Sequence, residues 1–136
     1  MRDISELIKL IEKADMVFIC GNGGSSATAE HMASDLFSRD IKAMCLSSNN
    51  SVITMIANDY GYEHIYSKQL QVFGTDKDLL ITISCSGTSP NIVEAIRIAN
   101  AIGMKIYEFP SFLMGRDYEL LEDQHMKLVH QLKKLL

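Results

Sequence analysis

His31 and Asp35 stand four residues apart in the stretch Gly24-Ser25-Ser26-Ala27-Thr28-Ala29-Glu30-His31-Met32-Ala33-Ser34-Asp35. On a helix this spacing puts an imidazole and a carboxylate on one face, one turn apart. Such a pair can be two metal ligands or an acid and a base; as an isolated i, i+4 pair it can equally be a solvated helix contact. A second set of donors lies in Glu122-Asp123-Gln124-His125-Met126-Lys127-Leu128-Val129-His130. Glu122 and His130 fall on a similar helical face, but about 12 Å of rise separates them, so one ion could bridge them only if both side chains lean inward. His125 projects roughly 140° away from His130 and reads as a structural or interface residue. His64 has no evident partner.

Two other stretches have the chemistry of anion loops. Gly21-Asn22-Gly23-Gly24-Ser25-Ser26 follows the apolar run Met16 to Cys20 and precedes a helical pattern. Glycines let the backbone approach a ligand, and the free N–H groups of a helix start favour an anion. The stretch lacks both the GxGxxG spacing and the GK[ST] ending of a P-loop, so it can also be a turn that only reverses the chain. The second stretch, Ser84-Cys85-Ser86-Gly87-Thr88-Ser89-Pro90-Asn91, follows another apolar run. One of its hydroxyls would suffice as a helix cap; the others, with the amides and the helix dipole, can wrap a phosphate without a lysine. Asn58-Asp59, after an apolar helical segment, reads locally as a helix C-terminal turn.

The elements that position these residues follow from the hydrophobic pattern. Apolar runs at 16–20, 41–46, 79–85 and 104–109 are continuous rather than alternating, as in strands covered on both faces of a parallel sheet. Helix-length stretches at 25–38, 51–73 (a pair) and 89–102 lie between them, the last with Pro90 in its first turn and Gly103 past its end. Strands alternating with helices imply βαβ units, and ligands in such sheets sit beyond the carboxyl ends of the strands. A final helix from Tyr118 to Leu136 is expected to bury Leu121, Leu128, Leu132 and Leu135.

With 136 residues, 47% of them hydrophobic, the chain can bury one core, so residues 1–136 are read as a single domain. A formal charge of -4 gives no basic footprint for nucleic acid, and no basic amphipathic helix offers itself to a membrane surface. No apolar run reaches the roughly 20 residues of a membrane span, and the amphipathic start MRDISELIKLIEKAD is unlike a signal peptide. A cytoplasmic location is expected. Cys20, Cys45 and Cys85 form no CxxC pair and read as reduced core or loop residues.

The segments GNGGSSATAEHMASDL, IANDYGYEHIYSKQL, DLLITISCSGTSPNIVEAI, GMKI and EDQHMKLVH, in this order, resemble the phosphoheptose (sedoheptulose-7-phosphate) isomerases of the SIS, or sugar isomerase, superfamily. The resemblance covers nearly the whole chain. It implies a three-layer, flavodoxin-like α/β sandwich that assembles as a homotetramer, with each site built from more than one subunit. It implies a sugar-phosphate ligand contacted by Asn22, Gly23, Gly24 and Ser25, by Asn58 and Asp59, and by Ser84, Cys85, Ser86 and Ser89. It further implies one zinc ion held by His31, Asp35, Glu122 and His130, with Asp35 and His130 as the acid/base pair.

Three departures accompany the resemblance. Asp35 stands where the family usually has Glu, and Glu122 where it usually has Gln. The chain also runs from Pro110 to Asp117 almost directly into the last helix, so the sheet is expected to be one strand short. An aldose-ketose isomerase is the function implied; a non-catalytic SIS module binding a phosphosugar or a protein partner is the alternative.

Overall fold

The computed structural model describes residues 3–110 and 117–136. Helix α1 (Ile4–Lys13) leads into strand β1 (Val17–Gly21), followed by α2 (Gly24–Phe37) and β2 (Ala43–Cys45). Helices α3 (Asn50–Tyr60) and α4 (Ser67–Phe73) then flank a short 3-10 turn, and β3 (Leu79–Ile83), α5 (Pro90–Ile102), β4 (Lys105–Glu108) and α6 (Tyr118–Leu135) complete the chain. The four strands are all parallel, in the order β2-β1-β3-β4.

Of the four apolar runs, the two central strands are covered on both faces, whereas the edge strands β2 and β4 are not: only Cys45 of β2 and Tyr107 of β4 are buried, because each edge strand has a neighbour on one side alone. Every residue of β1 and β3 is buried. Val17 and Ile19 of β1, with Leu79, Ile81 and Ile83 of β3, join Leu7 and Ile11 of α1, Met32 and Leu36 of α2, and Val129 and Leu132 of α6 in one core. Phe18, Cys20 and Leu80 point the other way, to Ile56 of α3, Leu70 of α4 and Ile92, Ala95 and Ala99 of α5. Alternate residues of a strand thus feed opposite cores, which makes a three-layer sandwich. At about 1.5–3 kcal/mol for each buried aliphatic or aromatic side chain, these two cores dominate the stability.

Helix ends follow the local sequence. Asn49 caps α3, its Oδ1 accepting from the Val52 amide, and Asp117 caps α6 by accepting from the Leu120 amide. Pro90 opens α5, and Gly103 closes it in the left-handed region at φ 90°. In α6 the buried stripe differs from the expected one. Leu121, His125, Val129 and Leu132 are buried, Leu128 is only partly so, and Leu135 is 54% exposed. The stripe advances by 4, 4 and 3 residues, which keeps it on one face; Leu128 and Leu135 lie one step off it.

The expected absence of a strand falls on the connection to α6, and residues 111–116 lie outside the described residues. No helix among the described residues is long and apolar enough to cross a membrane. All three cysteines are buried free thiols.

Candidate functional site

From β1 the chain crosses to β2 on one side, and from β3 it crosses to β4 on the other, so the sheet order reverses between β1 and β3. A crevice opens at such a switch point, beyond the carboxyl ends of the two strands. The loops with anion chemistry both end there. A cleft of about 290 Å³ is lined by Asn22 and Ser25 from the first, Ser84, Cys85, Ser86 and Ser89 from the second, and Tyr118 and Glu122 from α6.

The first loop turns on Gly23, whose φ of 57° is one that side chains disfavour. Gly24 begins α2 beneath the Glu122 carboxylate; a Cβ there would collide with it. Asn22 is fixed from two directions. Its amide exchanges two 2.8 Å hydrogen bonds with that of buried Asn91, and its Oδ1 also accepts from the Tyr66 hydroxyl at 3.2 Å. The one proton of that hydroxyl is shared with the Gly21 carbonyl, the nearer acceptor at 2.5 Å.

The second loop folds around its own hydroxyls. The Gly87 amide donates to Ser84 Oγ at 3.0 Å and the Thr88 amide to Ser86 Oγ at 3.1 Å. Ser89 is the N-cap of α5 but makes no side-chain capping bond, and its Oγ stands 3.4 Å from that of Ser86. A hydroxyl not engaged in capping, at the positive end of a 13-residue helix, is available to an anion. Among the described residues lining the cleft there is no lysine or arginine, so hydroxyls, amides and the helix dipole must supply the attraction. Burial pushes the Cys85 thiol above its ordinary range, against the hydrogen bond from Ser25 that lowers it and with a smaller upward push from the Glu122 carboxylate. Cys85 therefore presents a neutral thiol, 4.0 Å from Ser25 Oγ.

The remaining candidates lie along the seam of α2 and α6. The two helices run side by side in the same direction: Gly24 faces Glu122, the His31 and His130 rings are 5.4 Å apart, and Arg39 donates to the Lys133 carbonyl. Asp35 is 7% exposed. Its Oδ2 lies 3.4 Å from His31 Nε2 and accepts no hydrogen bond, while its Oδ1 lies 3.2 Å from Lys133 Nζ.

Two imidazoles and a carboxylate with an orphaned oxygen fit a divalent ion in donor type and neighbourhood. They are not drawn together: among the described residues no three His, Cys, Asp or Glu side chains converge closely enough to hold an ion as they stand. Glu122 does not join them. It faces the cleft at the upper end of the seam, about 12 Å of rise from His130.

Asn58 and Asp59 are exposed at the end of α3, hydrogen-bonded to each other at 3.0 Å, and do not line the cleft. His64 does have neighbours, Glu63 at 3.5 Å and Glu94 at 3.9 Å. His125 is structural: its Nε2–H donates to the Pro110 carbonyl at 2.7 Å and its ring packs edge-on against Phe109. Sequence reasoning missed Asn91, Tyr66, Tyr118 and Lys133. Asn91 follows Pro90 in the first turn of a helix beside the anion loop, a position that could have marked it; for the others there was no local signal.

A family model for the SIS domain matches residues 3–111. Phosphoheptose isomerase of Helicobacter pylori (strain P12) is 41% identical over 117 residues, which is 82% of this chain and 59% of the relative. This chain thus spans about 59% of the length of that relative. Phosphoheptose isomerase 1 of Campylobacter jejuni is 31% identical over 150 residues, 96% of this chain and 81% of the relative. Among solved structures, phosphoheptose isomerase from Neisseria gonorrhoeae superimposes with a TM-score of 0.87 at 27% identity, over 97% of this chain and 81% of that one.

Proposed function

The chain belongs to the SIS-domain family, among its phosphoheptose isomerases, and on that footing we propose that it interconverts a ketose phosphate and its aldose, sedoheptulose 7-phosphate being the first substrate to test. The observation that carries this reading is the cleft at the β1/β3 switch point, with four hydroxyl and thiol side chains of one loop at the N-terminus of α5.

In this reading the phosphate sits on the loop from Ser84 to Ser89, held by the Ser86 and Ser89 hydroxyls and the free amides of α5. Asn22, locked by Asn91 and Tyr66, presents the first loop to the sugar hydroxyls with Gly23, Gly24 and Ser25. Isomerisation moves a proton between neighbouring carbons through an enediol and needs a base and an acid within reach. Asp35 takes the proton from one carbon, and His130, which meets Asp35's neighbour His31 across the seam, passes a proton at the oxygens. A divalent ion, zinc first, would be held by His31, Asp35 and His130 and would supply polarisation of the carbonyl oxygen. Glu122 joins that set only if its side chain leaves Gly24. Asn58 and Asp59, exposed and outside the cleft, are assigned to the site of a neighbouring copy in a homotetramer. Exposed Met55, Tyr60, Val72 and Phe73 give the chain apolar surface for that assembly. Three unpaired buried thiols suit a reducing, cytoplasmic compartment.

The Lys133 contact with Asp35 favours a second reading, in which the domain binds the phosphosugar without turning it over. His130→Gln separates the two. An isomerase loses turnover in this variant yet keeps phosphosugar binding, because a different loop holds the phosphate. Phosphosugar binding by both proteins with turnover by neither would leave only the binding module.

A further inference from the structure

Asp35 is a buried carboxylate, and such a group must be paired or hydrogen-bonded. Among the described residues the cation that meets it is Lys133, whose Nζ lies 3.2 Å from Oδ1. Lys133 follows His130 by three residues on α6, so the ammonium that meets Asp35 and the imidazole that meets the His31 ring come from one helix face. The backbone that carries the lysine is itself held: Arg39 Nε and Nη2 both donate to the Lys133 carbonyl, at 3.2 and 3.0 Å. Arg39 follows Asp35 by four residues, so carboxylate and lysine are tied together at both ends of one short bridge.

We propose that Lys133 is a built-in cation that competes with a divalent ion for Asp35. The inference rests on the reading of His31, Asp35 and His130 as metal ligands. An ammonium and a divalent ion sharing one carboxylate repel each other at a few ångströms, where the protein screens charge less than water does. Metal loading therefore requires the ammonium to leave. The Lys133 side chain is 43% exposed, so its flexible stem can carry the charge into water. In the metal-free protein the lysine neutralises Asp35 and holds α6 against α2, and the ion must displace it.

The test is calorimetric titration of zinc chloride into the chelator-stripped full chain, as wild type, Lys133→Met and Lys133→Arg. Lys133→Met keeps the apolar stem and removes the charge, and is expected to bind zinc at least about tenfold more tightly than wild type. Lys133→Arg keeps the charge and should bind no more tightly than wild type. A Lys133→Met, His130→Ala double variant should lose the gain, which assigns it to this site. Metal-free Lys133→Met should melt below wild type and recover more on adding zinc, since it leaves Asp35 unpaired. Equal zinc affinity for wild type and Lys133→Met overturns the inference and leaves the metal reading standing. Zinc binding by neither protein overturns both.

Discussion

Asn22 and Asn91 close a ring of two 2.8 Å amide hydrogen bonds between the loop after β1 and the first turn of α5. They are 69 residues apart in sequence, and their contact fixes one anion loop relative to the other across the switch point. Asn91→Ala leaves the amide of Asn22 without its partner in a part-buried place, which costs about 1–3 kcal/mol of stability. It should also weaken phosphosugar binding, because Asn22 then keeps only the Tyr66 contact. Denaturant midpoints and ligand titration of the same variant check both effects.

The serine loop gives a cleaner separation of binding from folding. Ser86 is exposed and Ser89 half-buried, so Ser86→Ala with Ser89→Ala should leave the melting temperature nearly unchanged. Phosphosugar affinity should fall by about 1–3 kcal/mol for each hydrogen bond lost to the charged phosphate. An affinity equal to wild type would place the phosphate elsewhere.

His125 makes stability depend on pH. Burial holds its pKa below the ordinary 6.5, only partly offset by the Pro110 carbonyl and Glu122. The unfolded chain takes up this proton first as pH falls below 6.5, so the contribution is complete above that value and is lost as pH drops towards the folded-state pKa. Its Nδ1 is buried with no hydrogen-bond partner, so the proton it would gain has nothing to meet. His125→Phe should flatten the stability profile between pH 7 and 5 relative to wild type. It should also cost about 1–2 kcal/mol at neutral pH, through the lost bond to Pro110. Urea midpoints at several pH values measure this difference directly.

Cys85 lines the cleft, yet its thiol is held neutral by burial and by Glu122. Alkylation by iodoacetamide near pH 7.5 should therefore be slower than for an exposed cysteine, since the thiolate is the nucleophile. Glu122→Gln removes the smaller of the two upward contributions and should speed it. Mass-spectrometric rates of modification at Cys85 decide the matter.

Much of this arrangement could be read from residue order. The apolar runs mark all four strands within a few residues; β1 and β3, buried throughout, have no polar positions to confuse the pattern, while β4 is legible through Ile106 and Tyr107 despite exposed Lys105 and Glu108. The loops at 21–26 and 84–91 are legible through a glycine and hydroxyl content unusual beside apolar strands, although Ser25, Ser84 and Asn91 are themselves buried. Contacts between distant segments were less legible. Lys133 gives no sign of Asp35, since that pairing depends on α2 and α6 lying parallel with His31 beside His130. In α6 leucines mark the buried stripe only at Leu121 and Leu132; His125 and Val129 fill the face between them, and Leu128 and Leu135 lie off it. Glu122 shares a helical phase with His130 and stands about 12 Å of rise from it, a separation that helix geometry alone makes legible.

As an isomerase, this site would move a proton between neighbouring carbons of a ketose phosphate. The most direct measurement is NMR of sedoheptulose 7-phosphate incubated with zinc-loaded protein in deuterated water, beside Asp35→Ala and His130→Gln. An enediol route predicts the aldose phosphate among the products, with deuterium at the carbon that received the returning proton, and neither in the two variants. Tight binding of the sugar phosphate to wild type with no aldose and no deuterium would contradict the isomerase account.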